Sequence, residues 1–192
     1  MSRKWMVAGA VAAVVAIVLG ARLGRDLLSD DDPPAKSSSA PDIVRFHETV
    51  ADVSLSYPAS WKRAKHPDEE IPLLILAPDR TAALQVRRSE TGLEDITRET
   101  LAVARKLTDP LFRAIKGTKL LEPVEPVELG GLFGWRYRYT YRDGDSARDH
   151  YFVFKRGLML ALVFEVSPAS RLRNFMAQFD RIARSLRDGA PA

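Results

Sequence analysis

The first hydrophobic feature of the chain is an uncharged apolar run of 17 residues from Trp5 to Ala21, flanked by Arg3 and Lys4 before it and Arg22 and Arg25 after it. As a helix this run is about 25 Å long, and Arg22 can snorkel so that Leu23 and Gly24 extend it, which is just enough to span a bilayer. Residues 1–25 therefore read as a single transmembrane anchor. The Lys and Arg counts at its two ends nearly tie, so an amino-terminal-inside orientation rests on the short leading segment and on export of the downstream residues. A cleaved secretory signal is the competing reading. Leu19-Gly20-Ala21 is a poor small-x-small cleavage site, and no Cys is present for lipid attachment, so the retained anchor is preferred. Ala12, Ala16, Gly20 and Gly24 place small side chains on one helix face, a spacing that Ala-rich anchors also produce by chance.

Residues 26–41 change character. The stretch Asp30-Asp-Asp-Pro33-Pro34-Ala-Lys-Ser37-Ser-Ser39-Ala-Pro41 is polar and rich in Pro and Ser, with no apolar period from which to build a core, and reads as a disordered linker. Its coil dimension of about 20 Å keeps the following domain, residues 42–188, near the membrane surface.

Within that domain the hydrophobic pattern alternates between periods of two and of 3.6. Val53, Leu55 and Tyr57 alternate with Ser54 and Ser56 and stop at Pro58, predicting a half-buried strand and a turn, with Trp61 anchoring the next segment. Leu73–Leu76 and the alternation Ala82, Leu84, Val86 predict a hairpin. Ile96, Thr100, Val103 and Leu107 then predict the face of a helix, opened by a Thr91–Glu94 capping box and interrupted at Pro110, with a further turn through Ile115 to Gly117. Residues 120–129, with Pro123 and Pro126, fit only a sheet edge or an irregular connection.

Three strands come next. Phe133, Trp135, Tyr137, Tyr139 and Tyr141 fall on one face and Arg136, Arg138 and Thr140 on the other; Asp143-Gly144 supplies a turn, and Tyr151–Phe154 pairs back. Leu158–Val166 is apolar on both faces apart from Glu165, the pattern of a central strand covered on both sides. The last element is a helix capped by Ser167, started by Pro168, and apolar at Leu172, Phe175, Met176, Phe179, Ile182, Ala183 and Leu186. The order predicts an α+β domain, an α/β/α sandwich built on a twisted, mostly antiparallel sheet with its two helices on opposite faces.

The segment Val53-Ser-Leu-Ser-Tyr57-Pro58-Ala-Ser-Trp61-Lys62 resembles the strand, Tyr-Pro turn and Trp that open domains of the PsbP-like superfamily. The closing helix, with Phe179, Ile182 and Ser185-Leu186, resembles that superfamily's usual ending, and the resemblance in element order runs over about residues 43 to 187. Membership alongside PsbP and the LpqN-type envelope proteins implies a compact scaffold that binds or stabilises partners without catalysis, and transfers no site residue by residue. Val50-Ala51-Asp52 departs from the Gly-aromatic lead-in common there, and an anchor stands in place of a lipidated Cys.

Composition narrows the chemistry. From Pro41 onward there are 24 Lys and Arg against 21 Asp and Glu, a slight basic excess that does not imply nucleic acid. The absence of Cys removes thiol chemistry. His47, His66 and His150 are far apart in sequence and make no zinc motif, and His150 beside Asp149 on a strand points to the opposite face. No G-x-S-x-G elbow accompanies Ser56, Ser60 or Ser89; Gly130-Gly131-x-x-Gly134 lacks a phosphate-cradle context; Asp143, Asp145 and Asp149 lack the calcium-loop spacing. No cofactor, metal site or enzymatic activity is expected.

Two features are suited to binding, beside their plainer readings as a core layer and a solvated face. Trp135, Tyr137 and Tyr139 could line a groove, with Arg136 and Arg138 on the opposite face, and the last helix carries Arg173, Arg184 and Arg187 on one stripe. The expected function is that of a single-pass, membrane-anchored extracytoplasmic accessory domain of the cell envelope that engages a protein partner or membrane complex. The alternatives are a ligand-handling protein that binds a lipid or glycan along residues 133–141 and a hydrolase with a non-standard site.

Overall fold

A computed structural model describes residues 42–66 and 68–190. The expected anchor and linker, residues 1–41, lie outside the described residues; among these, no helix is long and apolar enough to cross a membrane.

The order of elements is β1 (Ile43–Glu48), β2 (Val53–Pro58), β3 (Lys62–Ala64), β4 (Leu73–Leu76), β5 (Ala82–Glu90), α1 (Leu101–Arg113), β6 (Lys119–Leu120), β7 (Glu125–Leu129), β8 (Leu132–Tyr141), β9 (Ser146–Lys155), β10 (Leu158–Val166), α2 (Leu172–Arg184) and β11 (Arg187–Asp188). Eight strands form one antiparallel sheet in the order β3-β4-β5-β10-β9-β8-β6, with β7 also on β8. Strands β1, β2 and β11 form a second, three-stranded sheet, which the periodicity did not separate. The fold is mixed α+β.

β10 lies between β5 and β9, and its residues from Met159 to Val166 are all buried. Its two faces feed two apolar clusters. On one, Leu160, Leu162, Phe164 and Val166 pack with Trp61, Phe179 and Ile182 beneath α2 and the small sheet. On the other, Met159, Ala161 and Val163 pack with Tyr137, Tyr139 and Phe152 beneath α1. The helices thus cover opposite faces, as expected. Trp61 meets Phe175 and Phe179 edge-on, with ring centroids 6.5 and 6.4 Å apart, and Phe179 stacks on Phe164 at 4.7 Å.

Both helix starts differ from expectation. α1 begins at Leu101, because Gly92 takes a left-handed φ of 63° and Thr91 turns away to donate to the Gly157 carbonyl at 2.9 Å, so the capping box does not form. The buried face is Leu101, Ala104, Thr108 and Leu111, leaving Val103 46% exposed. Pro110 lies inside the helix, which continues to Arg113. Tertiary bonds hold this turn: the Tyr137 hydroxyl donates to Asp109 at 2.6 Å and lies 2.7 Å from the Thr108 hydroxyl. At the last helix, Pro168 is extended (ψ 157°) and Ser167 does not cap; a single 3-10 turn over Ala169–Arg171 precedes α2.

The small sheet is fastened by buried polar groups. Glu48, 4% exposed, accepts from the Ala51 amide and from Arg88, both at 2.5 Å. Lys155, also 4% exposed, reaches the Asp52 carbonyl and the Asp188 carboxylate, each at 2.5 Å. The Ser185 hydroxyl donates to the Ser56 carbonyl at 3.0 Å, joining α2 to β2.

Truncating Phe179 to Ala is expected to destabilise the domain by about 4 kcal/mol, since it removes a wholly buried ring shared by α2, Trp61 and β10. A Cβ at Gly134 would land on the Phe152 carbonyl across the β8–β9 pair, so Gly134→Ala is expected to cost about 3 kcal/mol. Urea unfolding followed by Trp fluorescence measures both.

Candidate functional site

The alternation of β8 and β9 divides their polar side chains between the two faces of the large sheet. On the α2 face, Arg136 holds the wholly buried Asp149 with a two-pronged pair at 2.7 and 2.5 Å, and reaches Asp180 of α2 at 2.8 Å. Arg138 adds a bond to Asp149 at 3.0 Å and two to Glu122 at 2.6 Å, and the Tyr151 hydroxyl donates to Asp180 at 2.9 Å. Burial pushes the Asp149 carboxyl up to about 6, with Arg136 opposing the rise. The network staples α2 to the sheet. Its charged groups are committed to internal pairing.

On the α1 face the aromatic residues are spent on packing. Tyr137 and Tyr139 are wholly buried, Phe112 of α1 stacks on Tyr137 at 5.3 Å, and the half-buried Trp135 donates its indole N–H to the Leu101 carbonyl at 2.9 Å beneath the Arg105 guanidinium. Of the residues expected to contact a partner or ligand, Tyr137, Tyr139 and Arg138 present essentially no surface, and Trp135 and Arg136 present part of theirs. The strand forms one wall of a filled layer, so these side chains do not line an open groove.

Under the far end of α1, beside Leu111, the same face carries a polar cluster that the motif search missed. Register puts Arg148 of β9 opposite Glu165 of β10 and Arg87 of β5 opposite Ala161. Arg148 and Glu165, both buried, pair at 2.8 and 3.1 Å, and the Arg148 guanidinium lies 4.3 Å over the Tyr141 ring. Arg87 has a longer contact, 3.8 Å, to the more exposed Asp68. These groups border a cavity of about 30 Å³ whose polar lining is Gln85, Arg87, Ser89, Arg148 and His150 and whose floor includes Met159, Ala161 and Val163.

His150 is the unusual member. It is 5% exposed, its Nδ1 lies 3.3 Å from the Tyr139 hydroxyl, and its Nε2 finds no hydrogen-bond partner among the described residues. A buried polar atom left so costs about 1–3 kcal/mol. Burial, reinforced by the Arg148 and Arg87 charges, holds the imidazole well below its ordinary range, so it is neutral at physiological pH. The one signal in the sequence was Glu165: a carboxylate in a strand apolar on both faces demands a buried cation beside it.

Because His150 is neutral when folded and takes up a proton when unfolded, the unfolded state binds more protons below its ordinary value near 6.5. Stability is therefore expected to fall as pH drops below about 6.5, by up to about 1.4 kcal/mol per pH unit from this group. Asp149, raised when folded, works in the opposite direction between about 4 and 6. Comparing urea unfolding of the parent and His150→Gln across pH 5 to 8 isolates the His150 slope, which the variant should lack.

No family model matches the chain, and no curated protein matches it. Solved structures do. The solution structure of cyanobacterial PsbP (CyanoP) from Synechocystis sp. PCC 6803 is 19% identical with a TM-score of 0.55, covering 81% of this chain and 98% of that one. The crystal structure of LpqN, involved in cell envelope biogenesis of Mycobacterium tuberculosis, is 13% identical with a TM-score of 0.54, covering 78% of this chain and 91% of that one. At these identities the likeness is one of fold. Residues 42–190, with their two-faced antiparallel sheet, helix on either side and Trp61 under the last helix, have a PsbP-like fold.

Proposed function

We propose that the chain is a single-pass membrane protein whose PsbP-like domain lies outside the cytoplasm and serves as an accessory module, engaging a protein partner or membrane complex that presents an acidic surface. The observation that carries this reading is the outward face of α2. Arg173, Arg181 and Arg184 are exposed along it and Arg187 lies just beyond; none of the four pairs with a carboxylate among the described residues. Unpaired surface cations of one sign steer and orient an oppositely charged neighbour more than they stabilise their own fold.

Two further observations support it. The apolar run from Trp5 to Ala21 is long enough to span a bilayer, and the polar stretch after it is short enough to keep a tethered domain near that surface. The aromatic side chains that suggested a lipid or glycan groove are packed under α1, which favours recognition by the surface of the domain over enclosure of a large ligand.

In cells expressing the full chain, the protein is expected in the carbonate-resistant membrane fraction, with its domain cleaved by protease added from outside. Recovery in the soluble fraction would overturn the anchor. Crosslinking of intact membranes should yield a heteromeric species that is lost in the triple variant Arg173→Glu, Arg181→Glu, Arg184→Glu, while the urea midpoint stays within that of the parent. Recovery of the monomer alone would overturn partner engagement.

A further inference from the structure

The cavity on the α1 face combines four properties that together specify a ligand. Its polar wall holds two guanidinium groups, Arg87 and Arg148, and burial together with the nearby Arg148 charge disfavours the charge on Arg87. Among the described residues only Arg148 has a close carboxylate partner, Glu165 at 2.8 Å, whereas Asp68 stands 3.8 Å from Arg87 and is itself more exposed. His150, only 5% exposed, lines the cavity with an Nε2 that has no partner among the described residues. The floor of Met159, Ala161 and Val163 is apolar.

Size and shape restrict the occupant. A cavity of about 30 Å³ has room for a group of only a few non-hydrogen atoms, which excludes a sugar, a phosphodiester or an acyl chain. A neutral imidazole can offer an N–H at Nε2 when Nδ1 accepts from the Tyr139 hydroxyl, and a guanidinium presents a fork matched to two coplanar oxygens. A spherical halide would satisfy the charge but leave the apolar floor unused.

We propose that this cavity is a carboxylate-binding site for an acetate-sized group, its oxygens held by Arg87 and His150 Nε2 and its methyl or methylene carbon seated on Ala161 and Val163. Arg148, fixed by Glu165 and by the face of Tyr141, orients the site without surrendering its own partner. The site does not depend on the membrane tether. A free short-chain acid and an aspartate side chain on a neighbouring protein share this chemistry.

The test uses the full chain in detergent micelles at pH 7, with the His150 imidazole followed by nitrogen-15 resonance. Sodium acetate and a capped peptide with a single aspartate are separate arms, each compared with sodium chloride at equal ionic strength. A saturable shift of the Nε2 resonance with acetate supports a free acid as the source; saturation only with the peptide supports a protein side chain. Chloride should give no saturable shift. Arg87→Gln should weaken the response about tenfold, and Arg87→Lys, which keeps the charge but loses the fork, should weaken it by less. The proposal is overturned if neither carboxylate saturates the shift in protein with a native amide spectrum. An equal response to chloride, or an unchanged response in both Arg87 variants, overturns it as well.

Discussion

β10 is buried on both faces along nearly its whole length, and that condition governs the rest of the domain. A strand so placed cannot leave either side of its sheet to solvent, so each face must find a cover. α1 covers one, and α2 with the small sheet covers the other. Each polar side chain that the strand alternation sends inward must then be paired within the protein, because its water is gone. Glu165 is met by Arg148, and Asp149 on the neighbouring strand by Arg136 and Arg138.

The two faces answer that requirement differently. Under α2, donors and acceptors form a connected network whose members come from β8, β9, the β6–β7 connection and the helix itself, so it fixes how the helix sits. Such a network gives specificity of arrangement more than stability, since burial of each charge opposes the gain from pairing it. Under the far end of α1 the pairing is incomplete: one guanidinium has only a distant partner and one imidazole nitrogen has none among the described residues. Incomplete satisfaction within a well-packed sheet is a common physical mark of a place shaped for something other than folding.

The range of each interaction decides how much of it was legible in the sequence. The alternation in β2 and β8, the continuous apolar run of β10 and the apolar stripe of α2 are local and strong, so the strands, the α+β class and the opposed helices could be read from Val53, Tyr137, Leu160 and Phe179. β1 could not, because Ile43–Glu48 is an edge strand with an exposed outer half and owes its conformation to pairing with β2. The start of α1 was misplaced because the Thr91 hydroxyl, which a local box would use as an acceptor, is instead held by donating to a carbonyl 66 residues away in the chain. The cavity was least legible. Arg148 and His150 share a face of β9 by simple alternation, but Arg87 joins them only through the β5–β10–β9 register, which no spacing in the chain encodes.

The bond between Ser185 and the backbone of Ser56 spans 129 positions, and β11 completes the small sheet by pairing with β2 over a similar separation. The first strands of the domain therefore have no finished surroundings until its last helix has been made. During synthesis, Trp61 and the inner face of β2 must wait, uncovered, for Phe179 and Ile182 to leave the ribosome. A domain closed by its two ends in this way assembles late and all at once, and its unfinished form exposes apolar strand to whatever else is emerging nearby.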